Sequence, residues 1–381
     1  MKKILEYTYG NWLILALAFL LANSCTLEQL LGLDDPKDSS EVVDDFPFVE
    51  LWSYEFSEKD WFHGTPPVIV GDSLVLTSGD EYLTCLRLVD GSLKWQYAAP
   101  GGYLSDMKNI LFNDTQVFFW NRRPSQSLQA LDIESGALLW SLDSVAGSRF
   151  HALSSTHYYS TYGNKYFKIS LDGTVVDTVN SDHSFRGLAT HNGKVFGSQG
   201  WWPGNKPHDI GRVICYDEET LDSLWSYETS GGGFNMCQPT FEDNILYTGT
   251  VWGDAPSVIA LDIEDGSLQW KNDSYFCYQT VLRGDTLYWM GGAYALDRHT
   301  GEEIWTTNIN VHTEGDNFIY YEGYLYFARY CGLHVLDAES GEIVQTIGDC
   351  RLETIAAGNG VLLYQRSTEL IALEPFDEDS F

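Results

Sequence analysis

A repeated segment constrains the fold of this chain more than any other feature of its sequence. Four segments align without gaps on a glycine that lies four residues before a tryptophan, and a short apolar stretch precedes each of them. A sequence with such internal repeats folds as one array of similar units rather than as several unrelated domains. The four pairs are Gly91 and Trp95, Gly136 and Trp140, Gly266 and Trp270, and Gly301 and Trp305.

Three further copies of the segment are degenerate. The copy that ends at Trp225 has Leu221 in the glycine position. The copy that keeps Gly341 has Gln345 in the tryptophan position. The weakest copy has Gly173 in its turn and an aspartate, Asp177, near the tryptophan position.

The last apolar strand, Leu370 to Glu374, has no tryptophan strand after it. The missing strand is found at the other end of the repeat region, because Leu51 to Glu55 is identical to the repeat segment Leu224 to Glu228. We therefore expect the N-terminal strand to complete the last unit. Such closure joins the first and last units and removes an exposed sheet edge.

Short turn dipeptides give a second count of the units. They lie between alternating apolar strands at a mean spacing of about 41 residues, the length of a four-stranded propeller blade. The sequence thus predicts an all-β fold, an eight-bladed β-propeller of four-stranded antiparallel blades. Seven blades is the alternative if the degenerate block near Asp172 is not a blade. The dipeptides are Gly71-Asp72, Asn113-Asp114, Asn192-Gly193, Asp243-Asn244, Gly284-Asp285, Glu322-Gly323 and Asn359-Gly360, with a weaker one at Thr156-His157.

Charge excludes one class of partner. The chain of 381 residues has 22 basic and 54 acidic side chains, a formal net charge of −32. Nucleic-acid binding requires clustered Lys and Arg that replace counterions, so no nucleic-acid partner is expected. The same charge argues against broad adsorption to anionic lipid.

The N-terminus has the pattern of a targeting segment. Lys2 and Lys3 precede an apolar run from Trp12 to Ala22, which is too short to span a bilayer but typical of a signal peptide. The sequence then reaches Cys25, which resembles the lipidated cysteine of a bacterial lipoprotein. Ordinary signal cleavage beside an incidental cysteine is the alternative. We expect a signal peptide over 1–24, an acidic tether over 25–46, the propeller over 47–377 and a tail over 378–381.

The strand-Asp-x-x-x-Gly-x-x-x-Trp pattern resembles the PQQ-like repeat family, and the size and layout resemble BamB-type outer-membrane lipoproteins. The resemblance implies that each Trp packs between neighbouring blades. It also implies a lipid-anchored, exported protein on the periplasmic side of the outer membrane or at the cell surface, and an envelope protein as partner, such as an outer-membrane barrel or an assembly component. The cysteines Cys85 and Cys215 align with the small residues Ala130, Ala260 and Ala295, so we expect buried, unreactive thiols.

Catalysis is not expected. Quinoprotein dehydrogenases with this repeat add an adjacent-cysteine disulfide, a calcium site and a catalytic aspartate, and no residue of this chain matches them. We therefore expect neither PQQ nor calcium, and no metal. No GxSxG elbow, HExxH helix or phosphate loop is present.

A candidate binding site emerges from the loops that share one face of the predicted propeller. These loops precede each inner strand or join the second and third strands, and they hold ten of the 22 basic residues. Arginine and aromatic side chains are enriched at binding hot spots. The candidates are Trp61, His63, Arg122, Arg123, Arg149, Arg186, Trp201, Trp202, Arg329 and Arg351.

Three functions compete for this site. The first is a scaffold that docks a protein partner through the loops. The second is a ligand- or glycan-binding propeller that uses Trp61, Trp201 and Trp202, and the third is a PQQ-dependent oxidoreductase. For the two tryptophans, packing against a neighbouring loop is the competing structural explanation, and individual arginines can instead neutralise nearby carboxylates.

Overall fold

The described residues fold into small antiparallel sheets that are connected by short turns. The computed structural model describes residues 48–56, 65–79, 81–98, 110–121, 127–145, 151–201, 210–230, 239–250, 257–273, 279–290, 292–309, 317–329, 332–347, 352–366 and 368–376. In these ranges the chain forms 32 strands in eight four-stranded sheets, so the prediction of eight blades is confirmed. Within them, no helix has the length and apolar character needed to cross a membrane.

The first four blades follow the chain from its inner to its outer strand. The degenerate block near Asp172, because of which seven blades was the alternative, forms a complete four-stranded sheet, which is the third blade. Blade 1 is β2 (Val68–Val70), β3 (Leu74–Ser78), β4 (Tyr82–Arg87) and β5 (Leu93–Ala98); blade 2 is β6 (Leu111–Phe112), β7 (Gln116–Asn121), β8 (Ser127–Asp132) and β9 (Leu138–Asp143); blade 3 is β10 (Ala152–Leu153), β11 (His157–Tyr162), β12 (Lys165–Ser170) and β13 (Val175–Asn180); blade 4 is β14 (Phe185–His191), β15 (Lys194–Trp201), β16 (Ile210–Asp217) and β17 (Ser223–Ser230).

The remaining blades repeat this order, except that the eighth takes its outer strand from the N-terminal end. There β1 pairs antiparallel with β32, which confirms the predicted closure. Blade 5 is β18 (Thr240–Glu242), β19 (Ile245–Gly249), β20 (Val258–Asp262) and β21 (Leu268–Asn272); blade 6 is β22 (Gln279–Arg283), β23 (Thr286–Met290), β24 (Ala293–Asp297) and β25 (Glu303–Thr307); blade 7 is β26 (Asn317–Tyr321), β27 (Tyr324–Arg329), β28 (Gly332–Asp337) and β29 (Ile343–Ile347); blade 8 is β30 (Leu352–Gly358), β31 (Val361–Arg366), β32 (Glu369–Leu373) and β1 (Glu50–Glu55).

The inner hairpins turn where the dipeptides predict. Asn192 and Gly193 both have positive φ, 47° and 71°, and so do Asn359 and Gly360, at 54° and 74°. Two successive positive φ values give the type of turn that matches the twist of paired strands. The weaker dipeptide, Thr156-His157, does not itself form the turn. His157 already belongs to β11, and Ser154 N–H donates to the His157 carbonyl at 2.9 Å, so the turn lies earlier in the chain.

Each repeated tryptophan joins its blade to the next one. Six indole Nε1–H groups donate to a backbone carbonyl of the following blade at 2.7–3.2 Å. The ring also covers the glycine of that blade's outer turn: a Cβ on Gly136, whose φ is 70°, would lie 2.6 Å from the Trp95 ring. The Trp–Gly spacing of the sequence is therefore an interblade contact, as the family resemblance implies.

Blade 3 is joined to blade 4 by a different set of residues. Asp177 stands in the tryptophan position and pairs with Lys168, while Leu221 replaces the glycine at a φ of 59°. The buried Lys168 ammonium donates to Glu218 O at 2.6 Å and to Glu219 O at 3.1 Å. Glu218 directly follows β16, the third strand of blade 4. The residues that accept hydrogen bonds from the tryptophans also directly follow the third strand of their own blades. A lysine therefore replaces the indole donor at this seam. No indole occupies this position, and Leu221 belongs to an apolar cluster with Tyr159, Tyr166 and Tyr216.

The small residues opposite the tryptophans are confirmed as core. Cys85 pairs with Trp95 and Cys215 with Trp225, just as Ala260 pairs with Trp270. Both thiols are fully buried and unpaired. The candidate disulfide between Cys331 and Cys350 lies outside the described residues.

We expect Cys85 and Cys215 to resist alkylation by iodoacetamide at pH 8 in the folded protein. Burial away from water raises the pKa of each thiol to about 12, so the reactive thiolate is scarce at that pH. Peptide mass spectrometry after labelling, with and without denaturant, measures the modification at each site. Labelling of either cysteine at equal rates in the two conditions would contradict this account.

Candidate functional site in the loop face of blade 4

Blade 4 places several polar and aromatic side chains at the end where β15 and β16 are connected. Trp201 ends β15, its Cα partner Ile210 begins β16, and Asp182 and His183 lie just before the inner strand β14. We call this end of the propeller the loop face. The opposite end, with the inner hairpin turns such as Asn192-Gly193 and the outer turns that hold Gly136 and Gly266, is the turn face.

The half-buried Trp201 ring is fixed by two neighbours. The His183 ring stacks on it, with centroids 3.8 Å apart and planes inclined by 10°. The Arg212 guanidinium carbon lies 4.9 Å from the centre of the same ring, within the range of a cation–π contact. Because all three residues belong to one blade, the ring is held before any partner arrives.

Carboxylates on both sides hold Arg212 in turn. Its Nε donates to Glu228 Oε1 at 2.8 Å and its Nη1 to Asp182 Oδ1 at 3.1 Å. Partial burial opposes ionisation of Asp182, but the charges of Arg212 and His183 together with the hydrogen bond from Ser181 lower the pKa of this carboxyl below its usual value. The cluster therefore carries both charges and contains a rigid aromatic ring. This is the composition of a polar binding patch with one anchor.

The structure describes only part of the predicted site. Of the predicted residues, Trp201 ends β15, and Arg186 is exposed at a bulge of β14. The backbone of Arg329 ends β27, but its side chain is outside the description. Outside the described residues lie Trp61, His63, Arg122, Arg123, Arg149, Trp202 and Arg351, as well as Cys25.

The described contacts also bear on the competing interpretations. Arg212 is paired with carboxylates, and Arg366 donates to Glu369 Oε1 at 2.6 Å, so these two arginines of the loop face neutralise acidic neighbours. Stacking of His183 covers part of the Trp201 ring that a sugar would require. The partners Asp182 and Glu228 were not among the predicted site residues, because the prediction selected basic and aromatic side chains of the loops.

No cluster of three or more His, Cys, Asp or Glu side chains that would suit a metal ion is found among the residues that the structure describes. The turn aspartates are engaged locally instead. Asp132 accepts from Ser135 N–H and Asp337 from Ser340 N–H, at 2.8 Å and 2.7 Å.

Comparison with solved structures shows how widely this fold occurs. The crystal structure of BamB from Moraxella catarrhalis aligns with a TM-score of 0.67 and 16% identity, over 86% of this chain and 100% of that one. The C-terminal WD40 domain of Sif2 aligns with a TM-score of 0.64 and 12% identity, over 87% of this chain and 99% of that one. At such identities the likeness concerns the propeller fold alone.

Sequence comparison is more specific. The outer membrane protein assembly factor BamB of Kangiella koreensis is 27% identical over 150 residues, which span 36% of this chain and 38% of that relative. A family model described as outer membrane protein assembly factor BamB matches residues 49–177 and 169–293. The residues matched by the family model include the Trp–Gly contacts from Trp52 and Gly91 to Trp225 and Gly266. The chain belongs to the PQQ-like repeat family of the outer membrane protein assembly factor BamB.

Proposed function

We propose that this chain is a non-catalytic binding subunit of the cell envelope, which docks a protein partner through its loop face. The partner class is an outer-membrane barrel or a component of the machinery that assembles such barrels. Membership of the BamB family supports this class, and the family description names an assembly factor rather than an enzyme. The anchor in this proposal is a lipid at Cys25 of the exported chain.

One observation carries the choice of the loop face. Trp201 is half-buried and immobilised by His183 and Arg212, so a partner that covers it sacrifices little side-chain entropy. Aromatic and arginine side chains held in this way are the usual hot spots of protein interfaces. Asp182 and Glu228 complete a polar rim around the ring.

The test is a binding measurement on the full chain. We expect the double variant Trp201→Ala/Arg212→Ala to bind at least about tenfold more weakly to the purified barrel-assembly complex of the same organism, prepared without this chain. Biolayer interferometry gives the two dissociation constants. Circular dichroism verifies that the variant is folded.

Arg298→Ala is the matched control. Arg298 also pairs with two carboxylates, Asp243 at 2.6 Å and Asp285 at 3.2 Å, but it lies on the turn face. This variant should bind with unchanged affinity. Equal losses in the two variants, or none in the loop-face variant, would remove the loop face from the proposal.

A further inference from the structure

A cavity lies at the junction between blades 6 and 7. It opens on the turn face, has a volume of about 560 Å³, and has Tyr288, Trp305 and Tyr320 in its walls. Ala338 lies at its base, and Arg283 and Glu339 lie at its rim. A volume of this size is within the range of binding pockets in proteins.

The repeat pattern explains why space is left beside Trp305. In blades 1 to 7 the residue directly after the third strand accepts a hydrogen bond from the preceding blade. In most of these blades its N–H also donates to the inner hairpin of its own blade. In four blades this residue is a long aliphatic one that packs with the tryptophan, whereas in blade 7 it is Ala338. The four are Leu88, Ile133, Leu171 and Ile263.

The burial of these counterparts shows what the position normally holds. Ile133 is 3% exposed and Ile263 is fully buried, each in the same apolar cluster as the tryptophan above it. Blades 4 and 6 use the long polar side chains Glu218 and Arg298 instead. At Ala338 the protein supplies only a methyl group, so the space of the missing side chain is left beside Tyr288 and Trp305.

The polar atoms at the base of the cavity already have partners. Tyr288 Oη–H donates to Ala338 O at 3.1 Å, and Trp305 Nε1–H donates to the same oxygen at 3.2 Å. A polar ligand would therefore find few free groups at depth. At the rim, the Arg283 guanidinium carbon lies 5.0 Å from the centre of the Tyr320 ring, and Glu339 is exposed.

We propose that this cavity binds a leucine or isoleucine side chain presented by a protein partner. The partner's side chain takes the place that Leu88, Ile133, Leu171 and Ile263 fill in their own blades, and Arg283 and Glu339 bind the peptide groups on either side of it. This is a second interaction surface on the turn face. It does not depend on the loop-face site of blade 4.

The probe is the tripeptide Ac-Gly-Leu-Gly-amide, added to the full chain with ¹⁵N-labelled tryptophan. We expect a saturable shift of the Trp305 indole N–H signal in NMR spectra, assigned with a Trp305→Phe variant. Ac-Gly-Ala-Gly-amide should bind at least about tenfold more weakly, because it buries three fewer carbons. Equal shifts with both peptides, or a larger response to glucose than to the leucine peptide, would overturn the proposal.

The decisive variant is Ala338→Leu, which copies the residue of blades 1 and 3. It should keep or raise the midpoint of thermal unfolding and abolish the peptide response. A second variant, Arg283→Ala, alters an exposed rim residue and should weaken binding without unfolding the chain. If both variants fold and bind the peptide like the original protein, the cavity is not the site. Trp201→Ala/Arg212→Ala should leave the peptide response unchanged, so failure here and failure of the loop-face proposal are distinguishable.

Discussion

Trp95→Ala is expected to lower the free energy of unfolding by about 3–5 kcal/mol. The ring is 8% exposed, fills the junction between blades 1 and 2, and donates to Ile133 O at 2.9 Å. Its removal leaves a cavity above Gly136 and an unpaired buried carbonyl. Equilibrium denaturation in urea, followed by circular dichroism, measures the change.

Trp201→Ala is the control for size and aromaticity. This ring is only half-buried, and its described ring and cation contacts, His183 and Arg212, come from its own blade. We expect less than half of the stability loss found for Trp95→Ala. Equal losses would mean that the tryptophans stabilise single blades rather than the junctions between them.

Lys168→Met is expected to destabilise the protein by about 2–4 kcal/mol, although a methionine fits the space of the lysine stem. The substitution removes the donor to Glu218 O and Glu219 O, so the seam between blades 3 and 4 loses the bonds that replace the tryptophan. Relative to the original protein, native-state hydrogen exchange should then be accelerated more in β12 and β16 than in blades 6 and 7.

Lys94→Met provides the comparison. Lys94 Nζ forms an ion pair with Glu134 at 2.6 Å, and the glutamate side chain is 74% exposed. Exposed pairs contribute about 0–1 kcal/mol, so this variant should unfold nearly as the original protein does. If Lys168→Met were as harmless as Lys94→Met, the lysine bonds would not be what holds the seam, and the apolar cluster around Leu221 and the bond from Tyr159 to Glu218 would be sufficient.

The parts of the fold that were predictable are those in which a local pattern has one structural meaning. Gly136 requires a positive φ and leaves room for Trp95, so its spacing in the sequence identifies the junction. The identity of Leu51–Glu55 with Leu224–Glu228 predicted the strand that closes the ring. Lys168 was not identified, although it holds the third-strand position that Cys85 and Ala130 hold in blades 1 and 2, because its role appears only when blade 4 is packed against it.

The site was less predictable than the fold. The bond from Arg212 to Asp182 joins residues 30 positions apart, and it depends on how β16 and the segment before β14 meet. Residue type alone indicated a cationic platform, whereas two described arginines of this face, Arg212 and Arg366, form ion pairs with carboxylates. The repeat alignment places Ala338 beside Ile133 and Ile263, but only the structure shows the cavity next to this smaller side chain.

Photo-crosslinking in living cells tests the central claim, that this chain docks an envelope protein through its loop face. p-Benzoylphenylalanine replaces Trp201 on the loop face or, as the control, the exposed Asp265 on the turn face of blade 5. We predict that irradiation links position 201, and not position 265, to an outer-membrane barrel or a component of its assembly machinery, identified by mass spectrometry. Crosslinks to such a protein from position 265 alone, or none from position 201 at normal protein levels, would contradict the claim.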